Sequence, residues 1–243
     1  MRARNLLALL ASIALVAACG SSSKGGTGTN AATTTKATTT TTTTTATTAP
    51  ATTTTVPVPV QLAIWPAADV VFTTPEAAAN DFLAKAFTPG PVIGPFVGND
   101  QRSGEFQVFA TADNVKIGSA KSTLLMRQLG PSNGWFVLAA ASDVATVVSP
   151  ASLSTVAAGP VTVKGVGTGF EATVVVRAFV AGTGVELDRK STMAGNLGQT
   201  LPYSVTLDVS KASKGDVVVL LVQGGVGLET DPGDFGAVPV LIG

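Results

Sequence analysis

The first regular pattern along the chain is that of an amphipathic helix. Apolar residues recur at helical spacing between Pro75 and Phe87, so that one face of the helix is apolar. Thr73 and Glu76 have the spacing of a capping box, and proline suits the first turn, where an N–H would have no partner. The Pro and Gly residues at 88–91 end the pattern. We therefore predict a helix over Pro75–Phe87.

Alternating patterns, typical of β-strands, follow the helix. Glu105–Ala110 alternates between two faces, and Thr123–Leu129 and Trp135–Ala140 flank a Gly- and Pro-containing loop at Gly130–Gly134. Such a loop between two strand patterns predicts a hairpin. We predict that residues 60–146 form a small α+β domain, in which the helix packs on a short antiparallel sheet.

Residues 147–243 carry strand and turn patterns only. β-Branched residues are frequent, as a pleated half-buried surface favours, and Ser204–Val209 alternates with Val205, Leu207 and Val209 pointing inward. Short strands separated by turns are typical of an antiparallel β-sandwich, so the predicted fold is mainly β. The predicted strands are Ala145–Ser149, Val161–Gly165, Ala172–Val180, Glu186–Ser191, Tyr203–Val209, Val217–Gln223 and Val238–Ile242.

The first 18 residues have the pattern of an export signal. Two arginines precede an apolar stretch over Leu6–Val16, and Ala17 and Ala18 provide the small residues that a signal peptidase requires. The apolar stretch is shorter than the ~20 residues that span a bilayer. We therefore predict a signal peptide over 1–18.

Residues 16–20, with the sequence Val-Ala-Ala-Cys-Gly, resemble a bacterial lipobox. The resemblance implies that Cys19 receives a diacylglyceryl group and becomes the mature N-terminus. Two acyl chains hold a protein to a membrane far better than one, since each buried CH₂ contributes ~0.8 kcal/mol. The predicted location is the extracytoplasmic face of the cell membrane, with the membrane itself as a partner through Cys19.

Residues 19–59 form a Thr-rich linker behind this cysteine. Thr38–Thr45 is an unbroken Thr run, and nothing in the segment can bury a core, so we predict disorder. Thr- and Pro-rich tracts of this kind are candidate O-glycosylated stalks, and a bare tether is the alternative. Fully extended, ~40 residues reach about 130 Å.

Composition removes most catalytic chemistries. The chain has no histidine and one cysteine, which excludes Ser-His-Asp and Cys-His arrangements, imidazole metal sites and an intrachain disulfide. The formal net charge is zero, with 15 basic and 15 acidic residues, so no nucleic-acid partner is expected. We predict no cofactor, no metal and no catalytic residues.

Several motifs resemble functional sites. Gly130–Gly134 matches G-x-S-x-G, but a nucleophile elbow needs a helix after it and a histidine partner. Gly165–Gly169 resembles a phosphate loop, but a strand pattern follows, so a turn or bulge is predicted. Glu229, Asp231 and Asp234 do not have the spacing of an EF-hand, and Asp-Pro-Gly-Asp is an ordinary turn sequence.

Two pairs of side chains also need an interpretation. Trp65 and Trp135 are interpreted as core anchors, the alternative being exposed platforms for sugar rings. Glu171 and Arg177 lie six residues apart and are interpreted as part of a solvated sheet face.

Five segments of residues 147–243 together resemble the immunoglobulin-like domain of bacterial spore germination proteins. They are Val-Ser-Pro at 148–150, Gly159–Gly165, the Phe-Glu-Ala segment at 169–174, Pro-Tyr-Ser-Val at 202–205 and Val-Pro-Val at 238–240. The resemblance implies an immunoglobulin-like β-sandwich over 147–243, with binding or assembly roles in the cell envelope, and carries no catalytic residues.

The sequence thus predicts a lipid-anchored surface protein that acts as a non-catalytic binding or assembly module. Its expected partner is an envelope protein or a cell-wall polymer. A spore germination or sporulation-associated role is one alternative. The other is a wall hydrolase with two carboxylates about 5–10 Å apart, for which the candidates are Glu76, Asp81, Asp100, Glu105 and Asp113.

Overall fold

The computed structural model describes residues 62–243, except 89, 113, 114, 197, 226, 229 and 230. The export signal, Cys19 and the Thr-rich linker lie outside the described residues, so these remain predictions. The described residues group into one compact unit.

The predicted helix is confirmed as α1, Pro75–Ala86. Its N-cap is Thr74, whose Oγ1 accepts a hydrogen bond from the N–H of Ala77 at 3.2 Å. The predicted cap at Thr73 was wrong by one residue, because Pro75 takes the first helical position and the residue before it becomes the cap. The buried face of α1 carries Ala78, Ala79, Phe82, Leu83 and Ala86.

Thirteen strands lie after the helix in the described residues. The first four are β1 (Val92–Asp100), β2 (Ser103–Ala112), β3 (Val115–Leu129) and β4 (Gly134–Ala141). The others are β5 (Thr146–Ser149), β6 (Thr155–Val156), β7 (Pro160–Gly169), β8 (Thr173–Val180), β9 (Glu186–Met193), β10 (Gly195–Asn196), β11 (Leu201–Asp208), β12 (Val217–Gly224) and β13 (Asp234–Ile242). Each predicted strand overlaps an observed one, while β1, β6 and β10 were not predicted.

One large sheet runs through both halves of the described chain, in the order β1-β2-β3-β4-β13-β12-β8-β9. The halves join where Ala237 of β13 pairs with Ala140 of β4, and the far end of β13 pairs with β6. A smaller sheet of β10, β7, β11 and β5 covers the second half. Pairing is antiparallel except for the two-residue strands β6 and β10. The predicted fold class, mainly β with an antiparallel sandwich in the second half and a helix before the strands, is confirmed.

Two hydrophobic clusters cover opposite faces of β8, β12 and β13. On one face, α1 packs on apolar residues of β2, β3 and β4 and also on Phe179, Val219 and Phe235 of these three strands. On the other face, the smaller sheet packs on Val176, Leu220 and their neighbours. A strand covered on both faces is apolar along most of its length, as β12 is from Val217 to Val222. Both halves thus share a core, and the predicted boundary between 60–146 and 147–243 stays a prediction.

Candidate functional site

Connections between strands gather at one end of the sheets, which we call the apolar end. Here β12 ends and β13 begins, with Gly224 paired to Asp234, and β8 begins beside the last residue of β9. The first residues of β3 also lie here, since β3 pairs with β4 only from Thr123 onward. The end of β2 and the start of β3 therefore project beyond β4 as a hairpin arm.

Large apolar side chains are exposed around this end. The arm carries two of them, and the others lie at strand ends or on connections of the sandwich. They are Val115, Ile117, Phe170, Met193, Leu201 and Leu228. An exposed group of apolar side chains on one side of a soluble domain is typical of a contact surface.

The most unusual backbone of the described chain presents Phe170. This residue begins a single turn of 3-10 helix between β7 and β8, and both Glu171 and Ala172 have positive φ, 53° and 57°. Two successive non-glycine residues in the left-handed region are costly, and such strain is common at binding sites. The turn is held by the Phe170 N–H, which donates to the Gly225 carbonyl at 2.8 Å, and the Phe170 ring lies against Gly227.

A cavity of about 430 Å³ opens at the same end, where the two halves of the sheet meet; we call it the junction cavity. An irregularity in the β2–β3 pairing helps to form it, because Ala110 pairs with Ile117 and Val108 with Ser122. Residues 118–121 of β3 therefore lie outside the regular pairing with β2, as in a bulge that redirects side chains. The polar residues that line the cavity are Gln107, Lys121, Ser122, Thr123, Ser142, Asp143 and Asp234.

Lys121, which lines the junction cavity, forms an ion pair with Asp231, which does not line it. The Lys121 ammonium lies 2.8 Å from the Asp231 carboxylate, and each side chain is 12% exposed. Burial raises the pKa of Asp234, and nearby Asp231 adds to the rise, while Lys121 opposes it. Asp143 and Asp234 form no ion pair with another described residue.

A second polar cluster lies under the C-terminal end of α1. The Arg177 Nη1 donates to the Ala86 carbonyl at 2.6 Å, and its Nε lies 2.8 Å from a carboxylate oxygen of Glu186. Arg189 binds the same carboxylate at 2.9 Å, and both arginines line a cavity of about 400 Å³. Burial raises the pKa of Glu186, but hydrogen bonds from Arg189 and Arg177 outweigh it and leave the pKa lowered.

The interpretation of Arg177 as part of a solvated face was therefore wrong. Its side chain is buried between β8 and α1, because the last carbonyls of a helix need a donor from outside the helix. Glu171 does not share its face, since it lies in the turn before β8.

The prediction of a turn or bulge at Gly165–Gly169 was also wrong. The predicted turn is in fact the last part of β7. A side chain at Gly165 would overlap the carbonyl oxygen of Thr146, and one at Gly169 would overlap that of Thr173. Glycine is required here because other backbone segments approach closely.

The other motifs lie where the sequence predicted. Gly130–Gly134 forms the β3–β4 hairpin connection, with positive φ at Gly130 and Asn133. Trp65 and Trp135 are 2% and 7% exposed, so both are confirmed as core residues. The Asp231 carboxylate accepts a hydrogen bond from the Gly233 N–H at 2.8 Å, as in an Asx turn, while Glu229 lies outside the described residues.

The candidate carboxylates of the hydrolase hypothesis are dispersed. Asp81, on α1, accepts a hydrogen bond from the Trp65 indole at 2.9 Å. Glu105 alternates with the helix-facing Phe106 on β2 and so lies on the opposite face of the sheet. Asp100 accepts a hydrogen bond from the Arg102 N–H, and Asp113 lies outside the described residues.

Neither a metal site nor a membrane-spanning helix is found in the part of the chain that the structure describes. No three acidic or cysteine side chains there lie close enough together to hold a metal ion. The described helix, α1, has neither the length nor the hydropathy of a membrane span.

Comparison with known families gives a match to part of the second half of the chain. Residues 144–224 match the family described as the immunoglobulin-like domain of bacterial spore germination. The matched residues contain β5 to β12, and their fold type is non-catalytic. The resemblance inferred from the sequence is thus confirmed. Neither the search of curated proteins nor the search of solved structures gave a match.

Proposed function

We propose that this protein is anchored to the outer side of the cell membrane through lipid on Cys19 and acts there as a non-catalytic binding or assembly module. The observation that carries the proposal is an immunoglobulin-like domain with six exposed large apolar side chains at or beside one of its ends. Such a surface favours contact with a partner over solvent. The partner class is an envelope protein or a cell-wall polymer.

The composition supports a role by contact rather than by catalysis. The chain lacks histidine, and four of the five candidate carboxylates are described by the structure and line neither the junction cavity nor the cavity beside Arg177. A purified chain that released products from isolated cell wall would contradict this part of the proposal.

The lipid anchor is tested by metabolic labelling. Cells that express the full chain are grown with radiolabelled fatty acid, and the protein is recovered and fractionated. We expect label and membrane association for the unaltered chain and for Ser23→Ala, and loss of both for Cys19→Ala. An unlabelled protein that stays in the soluble fraction would exclude the anchor.

A germination or sporulation role is the second candidate, and it is supported by the description of the matched family. Deletion of the gene distinguishes the two. Delayed germination with a normal envelope favours the second candidate, whereas altered envelope properties with normal development favour the first.

A further inference from the structure

The junction cavity lies between two exposed apolar groups. Val115 and Ile117 lie in the part of β3 that belongs to the hairpin arm, and Leu228 lies on the connection from β12 to β13. β3 and β12 are three strand positions apart in the sheet, so their backbones are about 14 Å apart across the sheet at ~4.8 Å per strand. An extended peptide that crosses these strands needs four or five residues at ~3.3 Å each.

The charge inside the cavity is negative. Lys121 is the cation of the lining, and Asp231 neutralises it at 2.8 Å. Asp143 and Asp234 then remain without an ion-pair partner among the described residues. Asp143 is exposed, whereas Asp234 is half-buried. The half-buried carboxylate of Asp234 gains more from a cation than an exposed carboxylate does, because its surroundings screen the charge less.

We propose that the junction cavity binds a basic side chain of a partner protein segment, whose flanking apolar residues contact the hairpin arm and Leu228. This inference rests on the proposed binding function and names the chemistry of the partner. Ser122, Thr123 and Ser142 supply hydroxyl oxygens, which can accept hydrogen bonds from an ammonium or guanidinium group.

Other occupants fit the same surface less well. An anionic lipid headgroup or phosphate would meet two unpaired carboxylates, and like charges repel. A divalent cation prefers three or more carboxylate or carbonyl oxygens, and no group of three acidic side chains is found in the described chain. A free small amine would leave the exposed apolar side chains unused.

A peptide binding assay tests the inference on the full chain, purified in detergent. The probe is a fluorescently labelled peptide, Leu-Ser-Lys-Ser-Leu, and the comparison probe has Nε-acetyl-lysine at its centre. Both leucines stand two residues from the lysine, because successive side chains of an extended peptide point to opposite faces. Fluorescence anisotropy is expected to give saturable binding of the lysine peptide, with at least about tenfold weaker binding of the acetylated one, since a hydrogen-bonded charge is lost. Equal binding of the two peptides, or binding of neither, overturns the inference.

Substitutions locate the contact. Asp234→Asn is expected to weaken binding of the lysine peptide about tenfold, and Leu228→Ser severalfold. Asp69→Asn is the matched control, because Asp69 is an exposed carboxylate near the opposite end of the sheet. Circular dichroism checks that each variant is folded. An Asp234→Asn variant that is folded and binds like the unaltered chain refutes the site.

Crosslinking on intact cells separates failure of this inference from failure of the proposed function. A photoreactive residue is placed at Leu228 or, as the control, at Val185; these side chains are 64% and 59% exposed. Val185 lies before β9, at the opposite end of β8 from Phe170. Adducts from Leu228 alone support the inference. Adducts from Val185 alone overturn it and leave the binding function standing, whereas no adduct from either position overturns both.

Discussion

Replacing Arg177 with methionine is expected to destabilise the fold. Methionine keeps most of the aliphatic volume but removes the donor to the Ala86 carbonyl and the cation beside Glu186. The substitution therefore tests whether a buried guanidinium on β8 fixes the end of α1.

Two losses set the magnitude. The Ala86 carbonyl is buried and would be left without its donor, which costs about 1–3 kcal/mol. Glu186 has a side chain 34% exposed and keeps its contact with Arg189, so loss of this ion pair costs only ~0–1 kcal/mol. We expect the free energy of unfolding to fall by about 1–4 kcal/mol. With a urea slope of ~2 kcal/mol/M, the unfolding midpoint falls by about 0.5–2 M.

Equilibrium unfolding in urea, followed by tryptophan fluorescence, measures this change. Trp65 and Trp135 are both buried in the cluster around α1, so unfolding exposes them. The control is Arg189→Met, which removes an exposed guanidinium from the same carboxylate and is expected to cost ~1 kcal/mol or less. If the two variants unfold at the same urea concentration, water satisfies the Ala86 carbonyl and the reasoning fails.

Two further predictions concern β7 and the response to acid. Gly165→Ala is expected to destabilise the fold by about 3 kcal/mol or more, since the added Cβ would overlap the Thr146 carbonyl. Gly225→Ala is the control, because a Cβ at Gly225 meets open space. Thermal unfolding of both variants is the measurement, and equal melting temperatures would contradict the close approach of the Thr146 backbone to Gly165. The lowered pKa of Glu186 means that its contribution to stability is complete above the ordinary value of 4.5 and is lost as the pH falls through the folded-state pKa. The stability difference between the unaltered chain and Glu186→Gln, measured by urea unfolding, should therefore shrink from about pH 6 to pH 3, and a difference that is independent of pH would disprove this.

Local patterns were sufficient for most elements. The helix was predictable because its apolar spacing and Pro75 both indicate a start at residue 75. The strands of the sandwich were predictable because turns bound their runs of β-branched residues. β1 was missed because Gly94, Pro95 and Gly98 interrupt its alternation. An edge strand tolerates proline, since one side of its backbone has no partner, but the sequence does not show which strand is at the edge.

The features of the candidate site depend on contacts that are distant in sequence. Arg177 and Ala86 are 91 residues apart, so a pattern within one strand cannot show that the guanidinium meets a helix end. Gly165 resembles a turn residue until the neighbouring backbone is placed against it. The junction cavity exists because β13 joins β4, and no local signal predicts that pairing.

The position of β13 bears on how this protein can be divided. The family match ends at residue 224, before β13 begins, yet β13 lies at the centre of the large sheet, between β12 and β4. A chain cut at the family boundary would turn β12, which is apolar on both faces, into a bare sheet edge open to pairing with other molecules. The part of the chain matched by the family therefore needs β13 as well to complete its sheet, because β13 covers the edge of β12 and joins it to β4.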